Sequence, residues 1–267
     1  MSRVRADMRF SIQVLVAADL HAQRQLYADL NRAVNEHRPD IVVLNGDFLD
    51  AGEPDAAKLS PSECALTLAS LACPNIVFTF GNHEQDDWLP FLSAWLEAGR
   101  VPQVLAGRAL RFGPLVVVGF PCLMVEREDL FDPVPRPAMK WLSALAKQHG
   151  PAFRTLWLMH EPPCGTPLSA PLGPVAGNAE WMDAVEHYAP RLVLFGHDHA
   201  TPLRHARWHY RMSNGTVFVN VGQSGCNGLR YSMVWAGFKN STPGLPQRLA
   251  VKAFPLQEEE IVITQQA

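Results

Sequence analysis

The feature that most constrains the fold is a short apolar run that recurs along the chain and ends each time in polar residues. Five runs rich in β-branched or aromatic residues show it: IQVLVAADLH, DIVVLNGDFLD, NIVFTFGNHE, TLWLMHEPP and LVLFGHDH. Segments of helical character lie between most of them, at 24–37, 63–71, 87–98, 138–149 and 180–188. Strands that alternate with helices predict a largely parallel sheet covered on both faces.

The pattern changes after His199, where strands follow one another directly. Residues 205–212 alternate polar and apolar side chains, and Asn214-Gly215 is typical of a two-residue hairpin turn. YSMVWAGF, RLAVKAF and EEIVITQ continue as strands. We therefore predict an α/β fold with two sheets in one domain over 1–267. Residues 203–263 are expected to be mainly antiparallel strands of the second sheet, and 1–9 a disordered lead.

Composition narrows the class of protein. The 267 residues are 48% hydrophobic, enough for a substantial core, and a charged fraction of 18% with a net charge of −3 does not favour nucleic acid as a partner. No apolar run reaches the ~20 residues that span a bilayer, so we expect no membrane association. The five cysteines are scattered and never spaced as C-x-x-C, which predicts neither a disulfide framework nor a structural zinc site and favours a cytoplasmic location.

The polar residues at the strand ends form a candidate metal centre, since ligands of open α/β sheets bind outside the carboxyl ends of the strands. Carboxylate, imidazole and amide groups collect there and suit Mn, Fe or Zn; they are Asp19, His21, Asp47, Asn82, His83, His160, His197 and His199. If His83 faces the substrate instead of a metal ion, seven candidate ligands remain. That is more than one tetrahedral ion needs. Two ions sharing a bridging carboxylate would use them all, and such centres commonly serve in-line displacement at phosphorus. Each residue alone is also compatible with an ordinary N-cap or a structural histidine.

Five motifs carry a resemblance to a known family. Asp19-Leu20-His21, Gly46-Asp47, Gly81-Asn82-His83-Glu84, His160 and Gly196-His197-Asp198-His199 resemble, in order and type, the signature blocks of calcineurin-like metallophosphoesterases. They spread from residue 19 to residue 199, about two thirds of the chain. The resemblance implies a four-layer α/β/β/α sandwich of two mixed sheets, with the site at the carboxyl ends of the strands.

The resemblance also implies roles for the individual residues. Asp47 would bridge two transition metal ions, and His83 would stabilise the transition state or protonate the leaving group while a metal-bound hydroxide attacks phosphorus in line. The first metal would also be held by Asp19, His21 and His199. The second would also be held by Asn82, His160 and His197. The expected partner is a small phosphate-ester substrate.

Supporting roles follow for residues beside the motifs. Gly46, Gly81 and Gly196 each precede a candidate ligand, where a sharp turn or close backbone approach is expected. Asp50 and Glu84 are candidate acceptors for imidazole N–H groups. Substrate recognition is expected from the loops 50–61, 121–137 and 162–177.

The branch of the family decides the predicted substrate class. GDFLDAG has Ala51 where protein serine/threonine phosphatases carry arginine, and the G-H-x-H block is typical of diesterase branches. We therefore predict a phosphodiesterase. The alternatives are a phosphomonoesterase on the same site, a metal-dependent amidohydrolase and a non-catalytic scaffold.

Overall fold

The computed structural model describes residues 10–50, 56–84, 86–120, 122, 138–172, 176–223, 228–240, 243–255 and 260–263, so the predicted lead 1–9 lies outside the described residues. The strands are β1 (Phe10–Ala17), β2 (Ile41–Asn45), β3 (Asn75–Thr79), β4 (Gln103–Val104), β5 (Arg108–Phe112), β6 (Leu115–Gly119), β7 (Leu156–Leu158), β8 (Leu192–Phe195), β9 (His209–Arg211), β10 (Val217–Asn220), β11 (Tyr231–Phe238), β12 (Arg248–Phe254) and β13 (Ile261–Ile263). The α-helices are α1 (Arg24–His37), α2 (Pro61–Ala69), α3 (Trp88–Glu97), α4 (Ala138–His149), α5 (Ala179–Tyr188) and α6 (Thr201–Arg204). A 3₁₀ turn, Gly150–Arg154, follows α4.

Two mixed sheets carry the fold, as predicted. The first has seven strands in the order β13-β12-β11-β1-β2-β3-β4, with β1 to β4 parallel and β11 to β13 antiparallel. The second has six strands in the order β5-β6-β7-β8-β10-β9. Its four central strands, β6, β7, β8 and β10, are parallel, and the edge strands β5 and β9 are antiparallel to their neighbours.

The expected placement of residues 203–263 in the second sheet is wrong for most of that segment. β11, β12 and β13 join the first sheet, where β11 runs antiparallel to β1 with Phe10 opposite Phe238. Among the described residues of this segment, β9 and β10 are the strands that belong to the second sheet, and β10 is parallel to β8. Alternation along a strand predicts which side chains share a face, but it does not identify the neighbouring strand.

Four layers arise from the alternation of side chains along the strands. In β1, Val14 and Val16 enter the core between the two sheets, whereas Leu15 and Ala17 enter the core beneath α1, α2 and α3. A third core lies between the outer face of the second sheet and α4 and α5, and it contains Trp157 and Trp181. Helices therefore cover both outer faces, which confirms the α/β/β/α sandwich.

Helix bounds agree closely with the periodicity of the sequence. α1 and α4 occupy the predicted ranges, and the other three predicted helices differ by at most two residues at an end. α2 begins with a capping box in which Ser60 and Glu63 each accept from the other's backbone N–H. A hairpin forms around Asn214-Gly215, but the connection is longer than the predicted two-residue turn, since the first strand pair joins Arg211 to Val217. The first strand also shortens to β9, because α6 and a turn take up the preceding residues.

The expectations of no membrane-spanning helix and no disulfide framework can be compared with the described residues only. Within them, no helix has the length and apolar character that crossing a bilayer requires. Among them, Cys64, Cys73 and Cys164 are free thiols. The cytoplasmic location stays a prediction.

Candidate metal centre

A buried asparagine joins the two sheets where the candidate ligands gather. Asn45 ends β2, and its Nδ2 donates to the carbonyl oxygens of Met159 (2.7 Å) and Leu194 (3.3 Å) in the second sheet. Its Oδ1 accepts from the Thr79 hydroxyl at 2.9 Å. A polar side chain ending the otherwise apolar run IVVLN was the available signal, and sequence reasoning missed it. This clamp brings the carboxyl ends of both sheets together.

Three overlapping groups of ligating atoms form at that junction, each with its atoms within 4.8 Å of one another. They are Asp19 with His21 and His199, His21 with Asp47 and His83, and Asp47 with His160 and His197. The first group is the set expected for the first metal. Asp47 is shared by the other two groups, which place it beside His21 of the first expected set and beside His160 and His197 of the second. The fourth expected ligand of the second site, Asn82, lies in the turn between β3 and His83, and its Oδ1 is buried.

The environment of His160 tests whether these residues fit a cation. The imidazole is fully buried, its Nδ1 lies 3.1 Å from the Asn45 carbonyl oxygen, and its Nε2 lies 3.1 Å from Asp47 Oδ2 without hydrogen-bond geometry. Burial lowers the pKa of His160, but the carboxylates of Asp47, Asp19 and Glu84 together outweigh burial and raise the pKa to about 10. A positive charge is therefore favoured between Nε2 and the carboxylate, and a metal ion supplies it there as well as a proton does.

The other carboxylates and imidazoles of the centre also shift one another's pKa values. Burial alone would raise the pKa of Asp47, but the imidazoles of His160, His83 and His21 hold it well below its usual range. The contact of His199 Nε2 with Asp19 Oδ2, at 3.5 Å, raises the pKa of His199. Burial lowers the pKa of His21 against the attraction of both carboxylates, which favours the neutral imidazole that binds metals.

Four of the candidate ligands have a left-handed backbone, which non-glycine residues rarely adopt. The φ angles are 57° at Asp19, 44° at His21, 50° at Asp47 and 66° at His197. Backbone hydrogen bonds fix the turns, for Asp19 N donates to Gly46 O at 3.0 Å and His21 N to Asp47 O at 2.9 Å. His197 N donates to both oxygens of the buried Asp19 carboxylate at 3.1 Å. Strain of this kind concentrates at functional sites.

The predicted close approaches at glycine are present. A Cβ at Gly46 would lie 2.2 Å from His160 Nδ1, and a Cβ at Gly81 would lie 2.1 Å from Asp47 Oδ1. At Gly196 it would lie 2.6 Å from Asp19 Oδ2. Gly222, which follows β10, belongs to the same set because its Cβ would lie 2.1 Å from Asp19 Oδ2. Sequence reasoning missed Gly222, although it follows the apolar run VFVNV.

Glu84 differs from its expected role as an acceptor for imidazole N–H groups. Its buried carboxylate accepts instead from the backbone N–H groups of Asp47 (3.1 Å), Leu49 (3.1 Å) and Gly81 (2.6 Å). Burial and the neighbouring Asp47 carboxylate raise the pKa of Glu84 to about 8. Glu84 therefore ties the turn after β2 to the turn after β3, and acts on the ligands through the backbone.

His83 lies at the solvent-facing side of the cluster, with 38% of its side chain exposed. Its backbone N–H donates to Asp47 Oδ1 at 3.0 Å, and its ring packs edge-on against His21 with 4.7 Å between ring centroids. Asp50 faces it as expected, although the 3.6 Å between Asp50 Oδ1 and His83 Nδ1 is longer than a hydrogen bond. This imidazole is partly exposed to solvent and contacts the candidate ligand His21, and the backbone of the same residue contacts the candidate ligand Asp47.

Comparison with known proteins agrees with the motifs and the geometry. The family model of calcineurin-like phosphoesterases matches residues 12–201. The chain belongs to the calcineurin-like phosphoesterase family. Hydrolysis of phosphate esters and a requirement for divalent metal ions are properties of this family. A search of curated protein sequences finds no match.

Solved structures with the fold of this calcineurin-like phosphoesterase are distant in sequence. A dimetal phosphatase from Danio rerio aligns with a TM-score of 0.64 at 14% identity, covering 96% of this chain and 99% of that one. The protein TT1561 of Thermus thermophilus aligns with a TM-score of 0.56 at 14% identity, covering 84% and 94%. GAP50, the anchor in the inner membrane complex of Plasmodium, aligns with a TM-score of 0.56 at 11% identity, covering 96% and 90%. These likenesses concern the fold.

In this calcineurin-like phosphoesterase, Asp198 connects the G-H-x-H block to the loop after β7. Its fully buried carboxylate accepts from the backbone N–H groups of Ala200 (3.0 Å), Thr201 (2.8 Å) and, across the loop, Ala170 (2.9 Å). Sequence reasoning passed over Asp198 because it occupies the variable position of the motif. Of the three predicted recognition loops, 121–137 falls almost entirely outside the described residues, as do 51–55 and 173–175 of the other two.

Proposed function

We propose that this phosphoesterase hydrolyses phosphate diesters at a centre of two transition metal ions, Mn, Fe or Zn. The first ion would be held by Asp19, His21 and His199, the second by Asn82, His160 and His197, with Asp47 between them. The observation that carries the proposal is the position of Asp47, whose carboxylate belongs to two of the three ligand groups. The G-H-x-H block supports diester rather than monoester substrates.

The chemistry divides between the ions and the chain. When bound, the two ions would act as Lewis acids on the phosphoryl oxygens. The chain holds the ligands rigid through the Asn45 clamp, the backbone bonds of Glu84 and the left-handed turns, so little reorganisation is needed when the ester arrives. Because folding has already fixed the arrangement of the ligands, no free energy is spent on arranging them when the transition state forms.

His83 is the group we assign to the leaving-group oxygen. Its Nδ1 faces Asp50, so Nε2 is the nitrogen that can present a proton or a positive charge to the substrate. Replacement of His83 by alanine is expected to lower kcat about 10²- to 10⁴-fold, the usual contribution of general acid catalysis. Metal content measured by plasma emission spectrometry should stay at the wild-type level, because His83 is not among the seven assigned ligands.

The location is proposed from the thiols. Cys64 and Cys73 are buried and free, and Cys164 is free and half-buried. Unpaired cysteines support a reducing compartment, the cytoplasm.

The deciding experiment compares hydrolysis of bis(4-nitrophenyl) phosphate with that of 4-nitrophenyl phosphate in added manganese, with Asp47→Ala as the blank. We expect faster turnover of the diester and none by the Asp47 variant. Faster turnover of the monoester would instead assign a phosphomonoesterase. Blank-level rates on both esters by a metal-loaded wild type would refute ester hydrolysis and direct attention to amide substrates or a scaffolding role.

A further inference from the structure

A short extended segment lies against the turn that carries His21. Leu59 N donates to Ala22 O at 2.8 Å and Arg24 N donates to Ala57 O at 2.9 Å, which places Lys58 opposite Gln23 in an isolated antiparallel bridge. The backbone of Lys58 is therefore fixed opposite a residue two positions along from a candidate ligand, although Lys58 belongs to none of the family motifs.

The side chain of Lys58 reaches the partner of His83. Its Nζ lies 2.5 Å from Asp50 Oδ2, and the other oxygen of that carboxylate lies 3.6 Å from His83 Nδ1. Exposure is low at this pair, 24% for the lysine side chain and 12% for the aspartate. One carboxylate thus stands between an ammonium group and the imidazole assigned to the leaving group.

The surroundings explain why Asp50 needs a cation. Burial raises the pKa of Asp87, and the charges of Asp50 and Asp86 raise it further, so these carboxylates repel one another. A half-buried carboxylate among others turns toward the nearest cation, and the direction of that turn decides which of its atoms face His83. In this protein the ammonium group of Lys58 contacts Oδ2 of Asp50, so Oδ1 faces the imidazole of His83.

We propose that Lys58 is a positioning residue, which holds the Asp50 carboxylate so that it orients the His83 ring with Nε2 toward the leaving group. The inference rests on the proposed function and extends it, because it names a residue that acts on the leaving-group step through two others. Lys58 itself does not touch the reacting atoms in this assignment.

The kinetic test uses Lys58→Met, Lys58→Arg and, as a matched control, the exposed Lys147→Met in α4. Each variant hydrolyses bis(4-nitrophenyl) phosphate, whose leaving group needs little protonation, and diphenyl phosphate, whose leaving group needs more. Lys58→Met should lower kcat about 10-fold or more on the diphenyl ester, within the range for residues that orient a functional imidazole. The loss on the nitrophenyl ester should be much smaller, KM and metal content should not change, Lys58→Arg should recover most of kcat, and Lys147→Met should match the wild type.

A spectroscopic readout separates this inference from the proposed function. Long-range ¹H–¹⁵N spectra of the zinc-loaded protein report which ring nitrogen of His83 carries the proton. We expect Nδ1 to keep its proton in both the neutral and the charged ring of the wild type and of Lys58→Arg, so that Nε2 is the nitrogen that gains and loses a proton. In Lys58→Met we expect a mixture of tautomers of the neutral ring. Unchanged ring signals in Lys58→Met, or equal loss of kcat on both esters, would overturn the role of Lys58. A wild type that hydrolyses neither ester refutes the proposed function, and the ring signals then decide the inference alone.

Discussion

Replacing Glu84 by glutamine should weaken both the fold and the metal centre. Oε2 of Glu84 accepts from Asp47 N and Gly81 N, and Oε1 accepts from Leu49 N, all in a site that is 2% exposed. Glutamine keeps the shape but turns an amide NH₂ group toward one of these donors. A buried N–H without an acceptor costs about 1–3 kcal/mol, and the remaining bonds lose their charge assistance, so we expect a loss of about 2–4 kcal/mol.

The assay is urea unfolding of the zinc-loaded protein at pH 7, together with titration of zinc into the metal-free protein. Burial and the Asp47 charge together raise the pKa of Glu84, and bound cations would offset the Asp47 contribution and so favour the carboxylate. Because Glu84 orients the Asp47 turn, zinc affinity should fall about 10- to 100-fold.

The matched control for this change is Glu161→Gln. Glu161 is also buried, and it accepts from the side chains of Asn178 and Trp181. The zinc affinity of Glu161→Gln should therefore fall much less than that of Glu84→Gln. A Glu84→Gln protein within about 0.5 kcal/mol of the wild type and with unchanged zinc affinity would refute the reasoning, since that is the range of inconsequential surface substitutions.

Three further changes test other parts of the centre. Gly81→Ala places a methyl group 2.1 Å from Asp47 Oδ1 and should abolish tight zinc binding in calorimetry, whereas Gly244→Ala, with no atom within 4 Å, should bind normally. Asn45→Ala removes the donor to two buried carbonyl groups of the second sheet and should lower the free energy of unfolding by about 2–4 kcal/mol in urea; a loss below about 1 kcal/mol would contradict the clamp. Manganese at about 100 times its Kd should raise the free energy of unfolding by about 2.7 kcal/mol in thermal melts, and an equal rise in Asp47→Ala would argue against this site.

The elements that could be predicted from sequence are those set by local periodicity. α1 and α4 follow from helical spacing alone, and the convergence of Asp19, Asp47 and His160 follows from the geometry of parallel strand ends. Helical spacing depends on residues only a few positions apart, and the convergence depends on the parallel arrangement that alternating strands and helices predict.

The features that escaped prediction depend on partners far along the chain. The pairing of β11 with β1 brings Phe238 opposite Phe10, and nothing in either strand specifies the other. Glu84 is predicted to accept from imidazole N–H groups, yet its carboxylate accepts from three backbone N–H groups of the turns after β2 and β3. Asp198 likewise acts on Ala170, a residue of the preceding loop.

The left-handed turns at Asp19, His21, Asp47 and His197 set stability and metal binding against each other at the same positions. Glycine at any of them would relieve an unfavourable backbone conformation, and would delete a ligand in the same step. Selection for a more heat-resistant protein, if activity were not also required, would therefore remove the metal centre first and leave the sandwich intact.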